Sequence, residues 1–301
     1  MRQRARAALL ILLALAPPAI ASCGSDYGVT PDSPPATDAG AESGPRDGSS
    51  EPKEARDGGD AGAEKSDAAE AGTTPVPVDT FGDSLALWLD AADVKRTVDG
   101  VHVEAWSETW HANGVSAIVQ GSPAPPAMVA MNGRPAISFD GTSNLLLPDS
   151  PALKWGTGDF IFFAVMSYEG GSNAGTFWQK SDGSSGLTIL APADDTHQTD
   201  VWVKVSNLGG SGLILGGSWS MLHLLTISRV GTNLDVQLDA KSGTQPNAIN
   251  DISASGVPVS IGGGGSTTFK GTVSEIIAAR TIASAAQRSA VTAYLQSKYR
   301  L

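Results

Sequence analysis

The sequence predicts an all-β fold: a two-sheet antiparallel sandwich of jelly-roll type, closed by a short C-terminal helix and preceded by a disordered linker. Three observations predict it. Between residues 81 and 281, short runs rich in β-branched and aromatic residues alternate with glycine, Asp-Gly and Asn-Gly punctuation, and no stretch sustains a helical period. Twenty-six of the 35 glycines fall in residues 79–301, the supply that many tight turns require. Only at the end does the pattern change. Ser284-Ala285-Ala286-Gln287 reads as a capping box, and Val291, Tyr294, Leu295 and the stem of Lys298 then share one helical face. So short a helix is marginal alone and is expected to dock on the sandwich.

The chain begins with Arg2, Arg4 and Arg6, followed by an apolar run from Ala7 to Ala16 and by Ile20-Ala21-Ser22-Cys23. A basic segment, a short apolar segment and a small-residue cleavage site make residues 1–22 a secretory signal, too short to span a membrane. Residues 24–78 hold twelve acids against four bases, with Tyr27 as the only aromatic and no Leu, Ile, Phe, Trp or Met. Such a segment buries too little to offset ordering entropy, so 23–78 is expected to be a disordered tether of roughly 40–45 Å r.m.s. span. The net charge of −11 argues against nucleic acid or anionic lipid as a partner.

Residues 79–301 are long enough for one substantial core. Leu85–Asp90 opens with a dense apolar run. Val101–Trp106 alternates, placing Val101, Val103 and Ala105 on one face and His102, Glu104 and Trp106 on the other. Pro135–Phe139 stops at Asp140-Gly141, and Leu145–Leu147 follows. Phe160–Met166 is apolar at every position, which predicts a central strand covered on both sides. Val201–Val205 sets valines against Trp202 and Lys204. Leu222–Val230, Asn233–Leu238, Val257–Ile261 and Val273–Ala279 complete the stronger strands. Weaker ones are Ser116–Val119, Met128–Met131, Phe177–Lys180, Leu187–Leu190 and Leu213–Leu215.

Two resemblances emerge from these residues. Ile20-Ala21-Ser22-Cys23 resembles the lipobox of bacterial lipoproteins, which implies acylation of Cys23, the only cysteine, and a lipid-anchored place in the cell envelope. Gly24 after it implies the outer membrane. The alternative is a signal cleaved near Ala21 with Cys23 left as a thiol. In the domain, Leu87-Trp88-Leu89-Asp90-Ala91, Gly133-Arg134-Pro135-Ala136-Ile137-Ser138-Phe139-Asp140-Gly141, Asp159–Val165, Phe269–Ile277 and the helix ending Tyr294–Tyr299 follow one another in order. That order resembles LamG-like domains of the concanavalin A-like lectin/glucanase superfamily, over roughly residues 83–299. The superfamily includes lectins, adhesion modules, glycosidases and lyases, so it implies the sandwich without fixing an activity.

No Glu-x-Asp-x-x-Glu strand, zinc spacing, His-Glu-x-x-His or Gly-x-Ser-x-Gly occurs. Glu275 is the one acid inside a strongly apolar strand, either a buried catalytic acid or a satisfied structural one. Asp140 reads as a turn residue, though turns of this kind bind calcium in some relatives. Asp194-Asp195 beside His197 offers a second oxygen-rich loop, so calcium is the one cofactor considered. Trp110, Trp178 and Trp202, each placed near polar residues, are the candidate ligand contacts, because an indole beside polar groups stacks on sugar rings. The alternative is that they close sheet edges or lie under loops. The expectation is non-catalytic binding of an extracellular ligand, a polysaccharide or other glycan, or adhesion. A glycoside hydrolase or lyase acting through Glu275 and a structural envelope protein remain open.

Overall fold

Phe160–Tyr168 has no polar residue before Ser167, and all nine of its positions are buried. A strand of this kind needs a layer on each face, and the rest of the domain supplies them. The structure, a computed structural model, describes residues 77–301 except 111–113, 120–123, 170–174, 192–199, 206–212, 217–219, 247–249 and 265–266. The signal, Cys23 and the tether up to residue 76 lie outside the described residues.

The first half of the chain contributes β1 (Leu85–Arg96), β2 (Val103–Glu108), β3 (Ser116–Val119), β4 (Ala127–Met131), β5 (Arg134–Asp140), β6 (Leu145–Leu147), β7 (Phe160–Tyr168), β8 (Thr176–Ser181) and β9 (Gly186–Leu190). The second half adds β10 (Asp200–Val205), β11 (Leu213–Gly216), β12 (His223–Val230), β13 (Asn233–Leu238), β14 (Lys241–Gln245), β15 (Val259–Ile261), β16 (Gly263–Gly264), β17 (Thr267–Thr268) and β18 (Lys270–Ala279). Helices α1 (Pro77–Phe81) and α2 (Ala285–Tyr299) flank them.

The result is an all-β antiparallel sandwich with a short C-terminal helix. One sheet, here the β10 sheet, runs β11-β10-β9-β8-β15-β6-β3-β2. The other, the β7 sheet, runs β18-β7-β12-β13-β14, with β5 and β4 attached to β18. Strand β1 joins them: Leu85–Asp90 pairs with β18, and after a register shift Val94–Arg96 pairs with β2. The main core lies between the sheets. Phe177, Trp178, Ile189, Val201, Val203 and Ile261 face Phe160, Phe162, Met166, Leu225, Ile227 and Val236 there. A second cluster lies outside the β7 sheet, where Trp88, Ile161, Phe163, Val165 and Ile277 meet Phe81 of α1 and Val291, Leu295 and Tyr299 of α2. Each such side chain contributes about 1.5–3 kcal/mol by leaving water, so the docking, not helix propensity, holds α2. Its capping box is formed, with Ser284 Oγ accepting from the Gln287 amide and the Gln287 side chain accepting from the Ser284 amide.

Several expectations need correction. Val103 and Trp106 are both fully buried and Val101 is half-exposed, so the predicted faces of this strand are wrong. The register steps from Lys95↔Ala105 to Arg96↔Val103, and Glu104 is the extra residue of a bulge that breaks the alternation. Helix α1 starts at Pro77, two residues before the predicted domain start; it buries Pro77 and Phe81, and Phe81 and Val78 pack into the outer cluster. Strand β14, Lys-Ser-Gly-Thr-Gln, has no apolar residue to signal it and forms the edge of the β7 sheet. Gly262 is fixed by geometry. Its φ is +85°, and a Cβ there would sit 2.1 Å from the Phe139 ring.

Candidate functional site

In the β10 sheet, side chains alternate between core and outside. Val201, Val203 and Val205 of β10, Leu187 and Ile189 of β9, and Val259 and Ile261 of β15 all enter the core. The residues between them face outward. Antiparallel register then places Lys204 opposite Thr188, Thr188 opposite Gln179, and Gln179 opposite Ser260. The four form a polar row crossing four strands, roughly 14 Å at about 4.8 Å per step. Asn144 extends it by donating Nδ2–H to Ser260 Oγ at 3.2 Å.

Trp202 stands beside this row, opposite Leu190. Its indole is half-buried, and the Lys204 ammonium lies 3.5 Å from the ring centroid. One ring face therefore already holds a cation, an interaction worth about 0.5–1 kcal/mol at an exposed site. The indole N–H is buried and finds no acceptor among the described residues. This face carries an ammonium, hydroxyls and an amide in one line with an aromatic ring beside it, a set suited to a polyhydroxylated ligand.

The other two candidate tryptophans are elsewhere. Trp110 is 41% exposed just after β2, away from the row, and its neighbours His111 and Asn113 lie outside the described residues. Trp178 is fully buried, packed edge-on against Phe162 at 5.1 Å, and shows no face to solvent. The pairing of β8 with β9 shifts register between Thr176 and Trp178, so consecutive Phe177 and Trp178 both enter the core. Trp178 is thus a core residue and not a ligand contact. Lys180 is also inside, its Nζ donating to Asp149 at 2.7 Å and to the carbonyls of Val257 and Ala254 at 2.9 and 3.2 Å. Burial opposes ionisation of Asp149, but Lys180, the Gly256 amide and Lys154 outweigh it and bring its pKa to about 2.

Glu275 is 1% exposed beneath α2 and accepts four hydrogen bonds. Trp88 Nε1 and the Tyr294 hydroxyl reach Oε1 at 2.7 and 3.1 Å; Lys298 Nζ and the Tyr299 hydroxyl reach Oε2 at 2.7 and 2.8 Å. Lys298 also bridges to Asp90. Burial raises the Glu275 pKa against the pull of Lys298. For Lys298, burial would lower the pKa, but Glu275 and Asp90 raise it and keep the proton on the amine. The geometry is that of a satisfied structural acid closed off from substrate.

Asp140 accepts from the amides and hydroxyls of Thr142 and Ser143, a turn role. Among the described residues no group of three or more His, Cys, Asp or Glu side chains could hold a metal ion; Asp194, Asp195 and His197 lie outside them. His102 pairs with Asp99 at an exposed turn, and His223 Nδ1 lies 2.6 Å from Asp239 Oδ2. Sequence spacing gave no hint of the His223–Asp239 pair, because a cross-strand connection and not a motif brings it together. The polar row was half legible: alternation exposed Trp202 and Lys204, but joining them to Gln179 and Ser260 required the strand order.

No protein-family model matches the chain, and no curated protein matches it. Among solved structures it is similar to the binding domain of Paraclostridial Mosquitocidal Protein 1, with TM-score 0.51 and 9% identity over 70% of this chain and 52% of that one. It is likewise similar to the binding domain of botulinum neurotoxin serotype G, with TM-score 0.51 and 11% identity over 71% and 51%. The binding domain of botulinum neurotoxin DC, solved in complex with SialylT, gives TM-score 0.50 and 10% identity over 71% and 52%. The chain spans about half the length of these domains, and at such identities the likeness is one of fold.

Proposed function

We propose that this chain is a lipid-anchored bacterial envelope protein, held at the outer membrane and cell surface through Cys23. Its LamG-like, jelly-roll domain binds an extracellular carbohydrate without catalysis. The observation that carries this reading is the outward row of Lys204, Thr188, Gln179 and Ser260 beside Trp202. It joins an aromatic face to hydrogen-bonding groups, the combination by which proteins hold sugar rings. The likeness in fold to a domain solved with SialylT supports it. A second reading, adhesion to a protein, draws on the end of the same face, where Ile118 is 51% exposed opposite Leu146. A domain of similar fold was solved with rat synaptotagmin II.

The test is a broad glycan array probed with the purified protein, with and without calcium. Binding that falls about tenfold in Trp202→Ala supports the reading. A folded protein that binds no glycan under either condition removes the carbohydrate version. For the anchor, Cys23→Ser should release the protein from membranes or stall its processing. Continued membrane fractionation of the processed variant contradicts the anchor.

A further inference from the structure

We propose a second saccharide site on the opposite sheet: a groove between α2 and the outer face of β12–β14 that takes one acidic sugar residue, with Arg288 as the contact to its carboxylate.

In these strands Leu225, Ile227, Leu234, Val236 and Leu238 fill the core, so the residues between them point outward. Register sets them in two rungs of three: Thr226, Gln237 and Ser242, then Ser228, Asp235 and Thr244. On neighbouring β7 the residues opposite Thr226 and Ser228 are Phe163 and Ile161, both in the apolar cluster under α2. The outer face therefore turns from covered and apolar to open and polar within one strand step. Arg288, at the end of the first turn of α2, forms the wall of the groove of about 220 Å³ that results.

The polar groups are largely unspent. Thr244 Oγ1 donates to Asp235 Oδ1 at 2.6 Å, and the Gln237 side chain donates to the Asp239 carbonyl at 2.7 Å. The hydroxyls of Thr226, Ser228 and Ser242 and the guanidinium of Arg288 have no hydrogen-bond partner among the described residues. Ser228 is only 5% exposed and Arg288 half-buried, so both address the groove and not open solvent.

This set defines a ligand class. A planar guanidinium without a partner fits a carboxylate bidentately. Three free hydroxyls both donate and accept, and Asp235 Oδ2 remains to accept, which suits ring hydroxyls. One arginine against one carboxylate leaves no surplus positive charge for a phosphate dianion, whereas a monoanionic polyol can place its acid on Arg288 and its hydroxyls on Asp235. The volume lies below the range of about 300–1,000 Å³ typical of drug-sized ligands, which fits a single sugar residue.

The site is independent of the Trp202 face, and the experiment separates them. Purified full-length protein is titrated with glucuronic, galacturonic and N-acetylneuraminic acids, their methyl esters, glucose and inorganic phosphate. At least one acid should bind at least tenfold more tightly than its ester, glucose or phosphate. Arg288→Gln should abolish that preference with thermal unfolding unchanged, Ser228→Val should weaken the acid severalfold, and Trp202→Ala should leave it intact. The proposal is overturned if no acid outbinds its ester, if phosphate outcompetes the acids, or if Arg288→Gln binds them as the parent does. Loss in Trp202→Ala but not in Arg288→Gln would place the ligand on the other face.

Discussion

The two outward faces of the sandwich start from the same antiparallel alternation and end in opposite states. On the β7 sheet, outward Ile161, Phe163 and Val165 of β7 and Ile277 and Ala279 of β18 form an apolar cluster with α1 and α2. The polar cluster under α2, Glu275 with Asp90, Lys298 and two tyrosine hydroxyls, is closed and internally satisfied. On the β10 sheet, the outward residues include Lys204, Thr188 and Gln179, all half-buried, and Ser260, which is 9% exposed, and none of them joins the cluster under the helices. The contrast teaches that a conspicuous buried acid can belong to the scaffold, while the surface proposed for the ligand is built from unremarkable Thr, Gln and Ser residues aligned by register.

The largest effect should come from breaking the covered face. Lys298→Met leaves Glu275 and Asp90 buried without their cation and should cost about 3–5 kcal/mol of stability. Chemical denaturation measures it, and glycan affinity of the remaining folded protein should not change. Leu295→Ala, which opens a cavity between α2 and the sheet, should cost about 2–4 kcal/mol by the same assay. A loss below 1 kcal/mol for either variant would mean that the helix is not the second layer described here.

pH sharpens the same contrast. The Lys298 pKa is raised in the folded state, so its stabilisation is complete below the unfolded lysine value of about 10.4 and is lost as pH rises through the folded value. Thermal unfolding of the parent should fall in this alkaline window, and Lys298→Met should flatten that fall. Asp149 behaves oppositely. Its pKa of about 2 lies below the unfolded value of about 3.9, so its contribution is present above that value and fades as pH falls toward 2. Asp149→Asn should remove that acid-side dependence.

How much of this was legible in the sequence depends on how far each feature relies on alternation alone. Phe160–Met166 announced a strand with two covered faces because every residue is apolar, and the Ser284–Gln287 cap announced the helix. Trp106 and Trp178 were misplaced because a bulge lies near each, and one extra residue inverts every face that follows. Nothing in a strand pattern places Lys180 inside, since Asp149 and two carbonyls arrive from distant loops to receive it. The row with Trp202 depends on β15 pairing with β8, a contact between residues about eighty positions apart that no local pattern encodes.

The smallest stability effects should fall on the open face. Thr188→Ala and Gln179→Ala, both on half-buried outward side chains, should each change stability by no more than about 0.5 kcal/mol while weakening glycan binding severalfold. A larger loss of stability would assign these residues to the scaffold.

The most direct test of the central claim is glycan affinity of the parent, of a Thr188→Ala, Gln179→Ala double variant and of Glu275→Gln, each confirmed folded by its thermal transition. The contrast between the faces predicts at least a tenfold loss in the double variant, undiminished affinity in Glu275→Gln, and no turnover of the glycan by any of the three. Parent-like affinity in the double variant, or hydrolysis that disappears in Glu275→Gln, would contradict it.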